Sequence, residues 1–117
     1  MPGKFITILM TAPSEKEARR IISALITKRL VACANLLNGV DSTFIWKGKI
    51  DKAKEFLVIF KTRRNLFKRV EAQIRRLHSY EVPEIIAVPI VAGNKEYLKW
   101  IDEVVGENRP SFHIKKN

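Results

Sequence analysis

The order of apolar patterns along this chain predicts an α+β fold, β-α-β-β-α-β with a C-terminal helix, the split β-α-β or ferredoxin-like arrangement. Three observations carry that prediction. Four β-rich runs alternate with amphipathic helical patterns, and the two middle runs follow one another with no helix between them. Those middle runs read as one long hairpin over residues 31 to 62, with its turn region at Trp46-Lys47-Gly48-Lys49-Ile50-Asp51. The return arm has apolar residues at even positions (Phe56, Val58, Phe60) and at odd ones (Leu57, Ile59), so both of its faces need cover. Two helices cover one face of a sheet. The other face then needs a third helix or another subunit, which points to an oligomer.

Each element has its own local reason. Phe5-Ile6-Thr7-Ile8-Leu9-Met10 is a central strand by composition, ending at Thr11-Ala12-Pro13. Ser14 with Glu17 three residues later forms a capping box that opens a helix, with Ala18, Ile21, Ile22, Leu25 and Ile26 on one stripe. The pattern carries it to about Leu30. In the outgoing hairpin arm, Asn38-Gly39 is placed for a bulge or bend. After the return arm, Thr62 is a candidate cap for a second helix with Leu66, Val70, Ile74 and Leu77 on one stripe, ending near His78. Pro83 pushes Val82 to an extended conformation, so residues 78 to 84 read as a loop. Residues 85 to 91 form a strand that Pro89 confines to a sheet edge or a bulge. Gly93-Asn94 opens a short third helix carrying Leu98, Ile101, Val104 and Val105, and Gly106 stops it.

A chain of 117 residues with these elements is expected to be one domain, 1–117. No run of about 18 apolar residues and no basic-then-apolar leader is present, so neither a membrane span, nor a membrane partner, nor export is expected. Cys33 is the single cysteine, which fits a reducing, cytoplasmic setting. The formal charge of +10 attracts polyanions, but the basic residues are spread over the helices and the tail (Lys115, Lys116) without a long run. A nucleic-acid partner is therefore not expected. The return arm lacks the glycines of an RNA-recognition strand, and Thr11-Ala12-Pro13-Ser14 lacks the glycine and arginine of an acylphosphatase phosphate loop. No nucleophile elbow, paired-histidine motif or phosphate loop appears, so an enzyme is not expected. The composition, rich in Lys, Arg and Glu and poor in Asn and Gln, is that of a thermostable protein.

One cluster remains. His78, Tyr80, Glu81 and Glu84 gather imidazole, phenol and carboxylates within seven residues. Imidazole and carboxylate suit copper or zinc, with Cys33 or Met10 as added soft sulfur ligands. Equally, His78 serves as an ordinary helix-end residue. Spacing leaves both readings open.

At this cluster the chain resembles the CutA divalent-cation-tolerance proteins. The resemblance runs through Thr11-Ala12-Pro13, Lys28-Arg29-Leu30-Val31-Ala32-Cys33-Ala34-Asn35-Leu36, Trp46-Lys47-Gly48-Lys49-Ile50, Glu55, Lys61-Thr62, Leu77-His78-Ser79-Tyr80-Glu81-Val82-Pro83-Glu84-Ile85, Gly93-Asn94 and Tyr97-Leu98-Lys99-Trp100. It implies a homotrimer built like the PII-type signalling proteins, with hairpin strands pairing across subunits and Trp46 and Gly48 at that interface. It implies divalent-cation tolerance, with weak binding of copper or another divalent ion and no obligatory cofactor. Positions matching the copper site of some members are Met10, Leu77 and His78, of which only His78 keeps a nitrogen ligand. Cys33 sits in the Ala-Cys motif as a small strand residue or a metal ligand. Asn35, Glu55, Lys61, Tyr80 and Glu84 match polar positions that line a cleft between subunits, suited to a small anion in a PII-like sensor. A basic scaffold for polyanions is the further alternative.

Overall fold

The computed structural model describes residues 3–106. Its elements are β1 (Phe5–Ala12), α1 (Glu15–Thr27), β2 (Cys33–Trp46), β3 (Lys49–Arg63), α2 (Phe67–Leu77), β4 (Ile85–Pro89) and α3 (Lys95–Val104), with a 3-10 turn (Arg64–Leu66) before α2. The four strands form one antiparallel sheet in the order β2-β3-β1-β4. Lys115 and Lys116 lie outside the described residues.

Alternation along the strands sorts side chains to two faces. Ile6, Ile8, Met10 and Ala12 of β1 and Val58 and Phe60 of β3 share one face, where Ala18, Ile21 and Leu25 of α1 and Val70 and Ile74 of α2 close over them. All eleven are buried. This is the core, and it explains why two amphipathic stripes sit on the same side of the sheet.

The second face is covered in part by α3. Tyr97 bonds Cys33 of β2, and Asp102 takes hydrogen bonds from Arg63 of β3 (2.9 Å) and Lys4 (3.2 Å). Beyond α3 the face is apolar and less covered: Leu9, Leu57 and Ile59 are half-buried, and Leu37, Ile86 and Val88 are exposed. A β-bulge at Asn38-Gly39 breaks the β2–β3 register between Leu37 and Val40. The extra residue keeps Leu37 and Val40 on this same face although they are three positions apart. Val40, Phe44 and Trp46 then continue the apolar surface along the hairpin.

That hairpin extends past the sheet. β1 meets β3 only from Phe56 to Arg63, so residues 40–46 and 49–55 form a two-stranded ribbon with no third strand. At about 3.3 Å per residue the ribbon reaches about 20 Å, in a molecule 47 Å long and 27 Å wide. Its turn is Lys47-Gly48, both with positive φ (52° and 78°), the geometry that matches strand twist.

Several boundaries differ from the sequence reading. Thr62 does not cap α2: β3 continues to Arg63 opposite Phe5, and the Thr62 hydroxyl donates instead to the Leu30 carbonyl at 2.7 Å. No side chain caps α2, which grows from the 3-10 turn. Helix α1 stops at Thr27 rather than Leu30, because Arg29 takes φ of 58° and turns the chain toward β2. Strand β4 ends at Pro89, an edge strand as the proline requires.

Candidate functional site

The polar cluster forms where the end of α2 meets the end of β1. His78 is the residue after α2, and its extended backbone folds the ring back over β1. Its Nε2 lies 2.7 Å from the Thr11 carbonyl, and its Nδ1 accepts from the Tyr80 amide at 3.0 Å. A carbonyl only accepts and an amide only donates. With these partners Nε2 serves as donor and Nδ1 as acceptor.

Glu17 of α1 reaches the same place. Its Oε2 accepts from the Ser79 amide at 2.8 Å and the Ser79 hydroxyl at 3.0 Å, and lies 3.3 Å from His78 Nδ1. The capping box is therefore only half formed: Ser14 accepts from the Glu17 amide at 3.2 Å, while the Glu17 carboxylate serves the loop after α2. Arg20 of α1 adds a bond to the Leu77 carbonyl at 2.8 Å.

Tyr80 links this corner to β3. Its ring packs 4.8 Å from the His78 ring, and its hydroxyl donates to Glu55 at 2.7 Å. Glu55 is only 6 % exposed. Burial pushes the Tyr80 phenol up to about 12, helped by the Glu55 hydrogen bond and the nearby Glu55 and Glu17 charges.

The candidate metal ligands do not share a site. Met10 is fully buried in the core under the helices, while Cys33 lies on the opposite face beside Tyr97, whose phenol burial and Cys33 push up to about 12. Among the described residues no group of three or more His, Cys, Asp or Glu side chains is arranged to hold a metal ion. The five cleft residues separate as well. Lys61 donates to Asn35, and Tyr80 donates to Glu55; six residues part Glu55 from Lys61 on one strand, about 20 Å. Glu84 is exposed in the loop before β4. Trp46 and Gly48 lie at the ribbon tip.

Glu17, Thr11, Ser79 and Arg20 complete the corner and were not among the residues expected there. Thr11 and Ser79 stood in matching motifs without a role, and the capping-box pattern of Glu17 pointed to its own helix.

Comparison with known proteins identifies the family of the chain. Residues 6–104 match the family described as CutA1 divalent ion tolerance protein. The chain is 48 % identical over 98 residues to the divalent-cation tolerance protein CutA of Archaeoglobus fulgidus, spanning 84 % of this chain and 95 % of that one. It is 42 % identical over 99 residues to the Thermus thermophilus protein of the same name, spanning 85 % and 96 %. Against the human protein CutA it is 40 % identical over 104 residues, 89 % of this chain and 58 % of that longer one. The solved Thermus thermophilus structure superposes with a TM-score of 0.86 at 41 % identity, covering 87 % of this chain and 99 % of that one. The Archaeoglobus fulgidus structure, described as a periplasmic divalent cation tolerance protein, gives 0.85 at 46 % identity, with the same coverage of 87 % and 99 %. By residues matched, identity and superposition together, this chain belongs to the CutA1 divalent ion tolerance family.

Proposed function

We propose that this protein serves divalent-cation tolerance as a cytoplasmic homotrimer without catalytic activity, binding copper or another divalent ion weakly at the His78 corner. The single observation that carries the ion site is the approach of His78 Nδ1 and Glu17 Oε2 to 3.3 Å. Imidazole nitrogen and carboxylate oxygen form a ligand pair suited to Cu(II) or Zn(II). The Tyr80 amide and the Ser79 amide and hydroxyl hold those two atoms. An ion must displace these donors and open the loop after α2. That cost sets a weak affinity. The fully buried Met10 and the opposite-face Cys33 take no part in it.

The trimer is supported by the ribbon and the apolar second face. A two-stranded ribbon alone in water is marginal, and Phe44 and Trp46 extend an exposed apolar surface along it. Partner copies that lay their strands along this ribbon would cover that surface, with Trp46 and Gly48 within the contact.

Calorimetric titration of the metal-free protein with Cu(II) and Zn(II) tests the ion site, using His78→Ala and Glu17→Gln at known oligomer mass. Saturable binding at an integral number of sites per trimer, lost in both variants, is expected. Equal heats in all three proteins would remove the ion from this corner.

A second reading rests on Lys61, a half-buried ammonium on the apolar second face whose partner is the neutral Asn35 amide. Such a charge suits a small anion held between subunits in a PII-like sensor. Protection of Lys61 from acylation by a small metabolite anion, at unchanged oligomer mass, is its expected sign.

A further inference from the structure

The two faces of the projecting ribbon carry different chemistry. Cross-strand partners share a face, so Trp46 with Lys49 and Phe44 with Asp51 continue the apolar second face assigned to partner copies. The outer face carries Ile45 opposite Ile50, then Thr43 opposite Lys52 and Asp41 opposite Lys54. Ile45 and Ile50 are the most exposed apolar residues of the ribbon, at 73 % and 74 %. Nothing in the trimer reading uses them.

Cations surround this pair. Lys47 sits in the turn beside it and Lys52 borders it on β3, with Lys54 next along and paired to Asp41 at 2.6 Å. Over residues 41–54 four lysines face two aspartates, in a chain of formal charge +10. Lys52 and Lys54 line an open hollow at the base of the same stretch.

We propose that the outer face of the ribbon tip docks on the surface of an anionic phospholipid bilayer. The aliphatic pair enters the boundary between headgroups and acyl chains, while the lysine stems lie along it and their ammonium groups stay among the phosphates. Charge complementarity selects this occupant. A neutral protein groove has no use for the lysines, and a polynucleotide, whose phosphates suit the lysines but whose bases stack on aromatic rings, has no use for two isoleucines. The aromatic residues of the tip lie on its other face. Contact of this kind needs no membrane-spanning helix, and among the described residues there is none. An oligomer multiplies the contact, since each copy brings one tip.

Vesicle co-sedimentation of the full chain tests the proposal, with phosphatidylcholine vesicles and with vesicles containing phosphatidylserine, alongside Ile45→Ser/Ile50→Ser and Lys47→Glu/Lys52→Glu double variants. Expected are binding to the anionic vesicles only, at least a tenfold loss in each double variant, and unchanged oligomer mass by light scattering. Equal binding by the isoleucine variant, with displacement of both proteins by a single-stranded oligonucleotide, would overturn it in favour of a general polyanion contact. A fall in oligomer mass of the isoleucine variant would overturn it too, by assigning the pair to the interface between copies.

Discussion

At His78 one imidazole ties together the end of β1, the end of α2 and the loop that follows. Replacing it with alanine leaves the Thr11 carbonyl and the Tyr80 amide without their partner, and unpaired buried groups of this kind cost about 1–3 kcal/mol each. His78→Ala is expected to lower stability by about 2–3 kcal/mol, read as a lower urea midpoint at unchanged slope. The two tyrosines of the chain report on their own surroundings. Tyr80 is pushed up to about 12 by burial and then by Glu55 and Glu17, and Tyr97 to about 12 by burial and then by Cys33. A raised phenol pKa stabilises the fold fully below the unfolded value near 10, and the gain is lost as pH rises from about 10 to about 12. Native phenolate absorbance is therefore expected only above about pH 11, against about pH 10 in urea. A native transition near 10 would contradict the surroundings described for both rings. His78 was legible in the sequence as a polar residue at a helix end. Its partners were not, because Thr11 lies 67 residues away and nothing local announces it.

Elements were legible where their signals are local. Ser14 before α1, Asn94 accepting from the Glu96 and Tyr97 amides before α3, Pro89 on an edge strand and the Asn38-Gly39 bulge all stand where the sequence pointed. Ser14→Ala is expected to cost about 1 kcal/mol, seen as a lower thermal midpoint. What failed was reading a residue type by its commonest role. Thr62 looks like a cap, yet 32 residues away the Leu30 carbonyl needs a donor, and strand pairing holds Thr62 in β3 to supply it. The sequence left open whether a third helix or another subunit covers the second face; that α3 takes part of it rests on charges far apart in sequence. Burial alone would raise the Asp102 pKa, but hydrogen bonds and charge from Arg63 and Lys4 hold its carboxyl below the usual range. A depressed carboxylate stabilises above its unfolded value near 4 and loses that contribution as pH falls through it. Asp102→Asn is expected to cost about 1 kcal/mol at neutral pH and to quicken amide exchange in α3. No difference in exchange between the two proteins would place the anchoring of α3 elsewhere.

At the scale of the whole molecule, the two-sided apolar return arm was the most informative feature of the sequence. It required cover on both faces, and the described chain supplies only part of the second cover, through α3. The cleft residues were the least informative: motif matching grouped five side chains that in one protomer fall into two distant pairs and an exposed Glu84. Light scattering is expected to give a mass near three times the 13.5 kDa chain, and a thermal midpoint that rises with protein concentration, as mass action demands of linked folding and assembly. That midpoint is expected above about 65 °C, the upper range of mesophile domains.

The unsupported ribbon also has a consequence for synthesis. A newly made protomer presents a long open strand edge and an apolar hairpin before any copy has met it, and such edges pair indiscriminately. In the proposed trimer assembly is bimolecular at first, so dilution prolongs this exposed stage while crowding of nascent chains favours mispairing. Refolding yield should therefore pass through a maximum in protein concentration, and a holdase chaperone should broaden that maximum without shifting the final midpoint.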